Sequence, residues 1–128
     1  MTNSFAMLLC LVFTSYYSTA QMVQLITEEG LKISYKWEIG KGGEQLLLIE
    51  ATNSNELALD FELSLFMKKG DKVVESTDML SLCVGAGKTL KPKTSGLVFD
   101  VKTPRGEIDN IFLGAMNIVK ADRKNCHL

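Results

Sequence analysis

The chain has 128 residues and a formal net charge of −1, with 14 Lys and Arg against 15 Asp and Glu. That length holds one domain and not two. The balanced charge speaks against a nucleic-acid partner or a polybasic membrane contact, both of which need a marked basic excess.

Phe5 to Phe13 (FAMLLCLVF) is an uncharged apolar run with the length of a signal-peptide h-region. It is shorter than the roughly 20 apolar residues that span a bilayer. Ser18 and Ala20 then form a small-x-small cleavage site, which predicts a cleaved signal over 1–20 and a mature domain over 21–128. The preceding MTNS carries no Lys or Arg, and the competing reading is a short N-terminal strand. Cys10 follows Met7-Leu8-Leu9 and not a small-residue lipobox, so a lipid anchor is rejected. No later apolar segment is long enough to cross a membrane. The expectation is therefore an exported protein, periplasmic or extracellular. Removing Cys10 with the signal leaves Cys83 and Cys126, an even pair in an oxidising compartment, and a disulfide between them is expected.

In the mature chain, Met22 to Thr27 is a short strand candidate, and Glu28-Glu29-Gly30 a turn. Leu31 to Ile39 alternates, with Leu31, Ile33, Tyr35, Trp37 and Ile39 on one face. After the glycine-rich Gly40–Gly43 loop, Leu46 to Thr52 starts apolar on both faces and reads as a central strand. Asn53 to Glu56 is a turn by composition. Leu57 to Lys68 is the cleanest strand. Leu57, Leu59, Phe61, Leu63, Leu65 and Met67 make an apolar row, with Asp60, Glu62, Ser64, Phe66 and Lys68 opposite. Lys69–Lys72 turns the chain back into Val73–Ser76, and an extended stretch runs on to Val84. Gly85 to Gly96 reads as a loop with a short edge segment, since Pro92 argues against a central strand. Leu97–Val101 is a further strand. Ile108–Ala121 reads as a final strand with a bulge, Gly114 at its middle. No segment has a clear helical period. Seven or eight short strands predict a single all-β domain, a two-sheet antiparallel β-sandwich.

Motifs with chemistry are sparse. His127, the single histidine, is next to the last residue, a poor place to preorganise a catalytic base. One His and two Cys do not make a closed zinc site. Gly87-Lys88-Thr89 resembles the end of a P-loop, but Leu82 stands where the motif needs its first Gly. The acidic pairs Glu28/Glu29 and Glu107/Asp109 lie in loops without a calcium-loop pattern. No metal and no cofactor is expected. Asp60 and Glu62 share a strand face, as a glycosidase pair would, although a plain charged face with lysine partners is the simpler reading. Tyr35 and Trp37 share their face with aliphatic residues, which favours core packing over a sugar platform. Phe66, on an otherwise polar face, marks a partner patch unless a loop such as Gly85–Gly96 covers it. Lys88, Lys91 and Lys93 form a small basic cluster, assigned to the same patch as a contact for an anionic partner.

The pattern from Ile33 through Cys126 resembles a group of small exported β-sandwich proteins of unassigned function. The resemblance is carried by LLLIEATNSNELALDFELSLFMKKGDKVVES, LCVGAGK, SGLVFDV and the cysteine near the end. The chain is also similar to the immunoglobulin-like sandwich in architecture, but Trp37 precedes both cysteines and the Cys…Trp…Cys order is absent. The resemblance brings no catalytic residues. The expectation is a non-catalytic exported module that binds or supports an envelope or extracellular partner, protein or glycan. The alternatives are a glycan-active hydrolase using Asp60 and Glu62, and a small inhibitor or lipid-carrying sandwich.

Overall fold

The computed structural model describes residues 22–126, the Ala115 side chain apart. The expected leader over 1–20, its cleavage point and His127 lie outside the described residues. In chain order the elements are β1 (Val23–Glu28), β2 (Leu31–Ile39), β3 (Gln45–Asn53), β4 (Leu59–Lys69), β5 (Lys72–Ser76), β6 (Leu80–Val84), β7 (Thr89–Leu90), α1 (Pro92–Ser95), β8 (Val98–Val101), β9 (Asn110–Ala115) and β10 (Val119–Lys120). A single 3₁₀ turn, Arg105–Glu107, precedes β9.

Two antiparallel sheets result, as the alternation predicts. In the first, β1, β2 and β3 form a meander, and β7 and β8 run end to end along the far edge of β3. In the second, β4 is the middle strand. β5 and β6 follow one another along one flank, β9 and β10 along the other. The ten segments thus fill seven columns. An immunoglobulin constant domain puts its first, second, fifth and fourth strands in one sheet; here the first three columns and the sixth share a sheet, a different order.

The alternating rows become the core. Leu31 and Ile33 of β2, Leu47, Ile49 and Ala51 of β3, and Leu59, Phe61, Leu63, Leu65 and Met67 of β4 belong to one buried cluster between the sheets, with Tyr35 and Trp37 packed against it. These side chains occupy the space in which a lipid-carrying sandwich would hold its cargo. Outward-facing Leu48 is buried too, because β3 is apolar on both faces. The short helix α1 packs on β3 and brings buried Pro92 to the outer side beside Leu48. Pro92 sits in the first helical turn, where its missing N–H leaves no hydrogen bond unmade. One turn of helix is too short to show a period, so the sequence reads it as loop. Among the described residues, no helix is long and apolar enough to cross a membrane.

Candidate functional site

The polar row of β4 lies on the outer face of the second sheet, and that face divides into two halves. At one end Phe66 pairs across strands with Phe112 of β9. Both remain partly in solvent, at 38% and 47% exposure. Gly114 explains why Phe66 stands among polar residues. It is the extra residue where β9 slips register, with Ser64 opposite Ala115 and Leu65 opposite Leu113. A Cβ at Gly114 would stand 2.5 Å from Ser64 Oγ and 3.0 Å from the Phe66 ring. The ring therefore covers the bulge glycine, shielding backbone that has no side chain of its own. Lys68 lies over Phe112, its Nζ 5.2 Å from the ring centroid. Val73, opposite Lys68 on β5, is exposed as well.

The hairpin beside this aromatic half is braced by acids that read as solvated loop residues in the sequence. Glu107 pairs with Lys69 at 2.6 Å, and Asp109 Oδ2 accepts the Gly70 N–H at 2.8 Å. The Glu107 hydrogen bond, with its charge, holds the Lys69 ammonium above its ordinary pKa.

The other half is acidic. Asp60, Glu62, Ser81, Cys83, Asn117 and Val119 line an open cleft of ≈ 400 Å³. Cys83 is bonded to Cys126, with 5.7 Å between the Cα atoms, as the cysteine count predicts. The C-terminal segment thus lies along the ends of β4 and β6. Ala121 N–H donates to Ala58 O, Ala58 N–H to Arg123 O, and Ala86 N–H to Lys124 O, at 2.8–2.9 Å. Arg123 Nη2 donates to the Cys126 carbonyl at 3.3 Å and lies 3.9 Å from Asp60 Oδ1.

Phe66 and the lysines do not form one patch. Lys91 and Lys93 flank Pro92 over the outer face of the first sheet, where Lys93 reaches Glu38 at 3.1 Å. Lys88 is held beside the end of β3, its carbonyl accepting the Asn53 N–H. Neighbours in sequence are here on the opposite side of the sandwich from Phe66. The loop expected to cover Phe66 is on that side too, joined through β7 to β3. Trp37 is half-buried against the core, and Arg105 closes over its ring at 4.4 Å.

Two supporting residues escape sequence reasoning. Asn53, read as a turn former, is fully buried at the end of β3 and hydrogen-bonds Leu57, Val84 and Gly85. Glu75 reaches from β5 to the first sheet's chain beyond β8, accepting from the Lys102 and Thr103 N–H groups and the Thr103 hydroxyl. Burial pushes its carboxyl upward, but the Thr103 hydroxyl, the two N–H groups and the Lys102 charge outweigh burial and hold it below its usual value. Among the described residues, no group of three or more His, Cys, Asp or Glu is gathered as a metal would require. No family model, curated protein or solved structure matches the chain.

Proposed function

We propose that this protein is an exported, non-catalytic binding module that docks a protein partner through the aromatic half of the second sheet's outer face. One observation carries the reading: Phe66 and Phe112 form an ordered, partly exposed pair on a regular strand face, flanked by exposed Val73 and by Lys68. Scattered exposed apolar residues are ordinary, but adjacent aromatic rings are the kind of anchor that interfaces use. The cations Lys68 and Lys72 beside them favour a partner surface that sets carboxylates next to apolar side chains. Covering what remains exposed of both rings is worth about 4 kcal/mol of transfer free energy at most.

The test is recovery of a defined partner from the exported fraction. Phe66→Ser with Phe112→Ser should abolish it, and Lys68→Glu should weaken it with a changed salt dependence. A Lys88, Lys91 and Lys93 to Ala triple change should leave it intact. Recovery lost with the lysines and kept without the rings would overturn the assignment.

A glycan-active site remains the second reading, favoured by the placement of Asp60 and Glu62 in one open cleft. Turnover of a glycan that disappears in Asp60→Asn or Glu62→Gln would support it.

A further inference from the structure

Three features outside the aromatic patch meet at the acidic cleft. Cys83, one end of the disulfide, is among the residues that line it. Asp60 and Glu62 line it as well. The other sulfur belongs to Cys126, whose carbonyl oxygen accepts from the Arg123 guanidinium. Arg123 Nε is buried with no hydrogen-bond partner, so this guanidinium has a donor to spare.

The two sulfurs are therefore not equivalent. Thiol–disulfide exchange is attack by a thiolate on one sulfur with departure of the other, and its rate depends on access and on the stability of the leaving thiolate. Access through the cleft leads to Cys83. A nearby guanidinium favours the thiolate form of a cysteine, and Arg123 stands on the Cys126 side. Carboxylates at the entrance repel an anionic reagent and attract a cationic one, the more so because the cleft partly excludes water.

We infer that the Cys83–Cys126 disulfide is an exchange site, entered at the Cys83 sulfur through the acidic cleft, for thiols carried beside positive charge. The incoming thiolate forms a bond to Cys83 Sγ. The Cys83–Cys126 bond breaks, and Cys126 leaves with the electron pair as a thiolate that takes a proton from solvent. A second thiol of the same class then attacks the mixed disulfide. This releases Cys83 as a thiolate, which is protonated in turn, and leaves the reagent as its own disulfide. The protein gains two electrons and two protons, and two reagent thiols are oxidised. Three backbone hydrogen bonds to Ala58 and Ala86 then remain to hold the C-terminal segment. The product is a segment with a free thiol that can leave the end of β4.

The experiment treats the full oxidised chain, in native buffer, with cysteamine, 2-mercaptoethanol or glutathione at equal thiolate concentration. Acid quenching and peptide mapping then locate the trapped adduct. The expected order is cysteamine fastest and glutathione slowest. The spacing is about fivefold per unit of reagent charge, the Coulomb factor for one charge about 4 Å away in bulk water. The adduct should sit on Cys83, and Asp60→Asn with Glu62→Gln should bring the three rates together. If that double variant does not fold, raised salt applied to the unaltered chain must compress the same spread. Equal rates at low salt, an adduct on Cys126, or reduction only as fast as global unfolding would each overturn the inference.

Discussion

Replacing Asn53 should unsettle the whole sandwich, because one amide joins both sheets. Its Nδ2 donates to the carbonyls of Leu57 at 2.9 Å and of Val84 and Gly85 at 3.1 Å each. Its Oδ1 accepts from the Asn55 N–H at 2.9 Å and from Asn55 Nδ2 at 3.1 Å. An amide nitrogen carries two hydrogens, so the three donor contacts amount to about two hydrogen bonds' worth of donation. With the two accepted bonds, about four are lost in Asn53→Ala, at about 1 kcal/mol each, or roughly 4 kcal/mol. That is a large part of the 5–15 kcal/mol typical of a domain, and it corresponds to a fall in Tm of roughly 15–30 °C. Asn53→Asp keeps the shape but aims a carboxylate at three carbonyl oxygens. At neutral pH it should be at least as destabilising as alanine, and it should recover as acid protonates the carboxyl and restores one donor. Urea titration followed by Trp37 fluorescence, with m-values compared, measures both. An Asn53→Ala protein within 1 kcal/mol of the parent, or Asn53→Asp more stable than Asn53→Ala at pH 7, would refute this account of the joint.

Three further outcomes follow from the same geometry. Gly114→Ala should cost about 1–3 kcal/mol in urea titration, because its Cβ has no room beside Ser64 and Phe66. Glu75→Gln should cost about 1–2 kcal/mol near neutral pH, after discounting charged hydrogen bonds for solvent. The Glu75 carboxyl is depressed in the fold, so its contribution is present above the unfolded value of about 4.3 and lost as pH falls through the folded value. The gap between parent and variant should hold steady above that window and narrow below it. Reducing the disulfide should lower stability by about 4 kcal/mol at most, the chain-entropy value for a separation of 43 residues. Matched urea curves with and without reductant give the number.

The parts of the fold visible in the sequence are those where one face is buried and the other wet. β2 is read with the same ends that the structure gives it, Leu31 and Ile39. The apolar row of β4 is core from Leu59 to Met67, while Leu57, included in the strand by its alternation, lies before it and is exposed. The bulge in the last strand was legible from Gly114. What it accomplishes was not, since only the cross-strand register brings Phe66 over that glycine and beside Phe112. Asn53 was misread for a related reason. A short polar residue between strands has turn composition whether or not it is buried. The carbonyls that make it a joint come from Leu57, Val84 and Gly85, which the sequence does not bring together. The lysines fail in the opposite sense: closeness along the chain suggested a shared patch, and the path through β7 and α1 takes them to the other sheet.

The outer face of the second sheet divides where its flanking columns break. β5 and β6 are interrupted near Leu65, whose N–H is taken up by the Thr77 hydroxyl at 2.9 Å and whose carbonyl accepts the Thr77 N–H at 3.0 Å. On the other flank the bulge falls between Ser64 and Leu65, and the chain leaves β4 before rejoining it at Asp60 as β10. β4 alone runs unbroken through both halves. The aromatic half is therefore set by register and by the braced hairpin, the acidic half by the C-terminal segment and its disulfide. Because the halves rest on different supports, reduction should loosen the cleft while leaving the Phe66–Phe112 pair in place, and Gly114→Ala should do the reverse. That separation makes partner binding and thiol exchange independently testable on one strand.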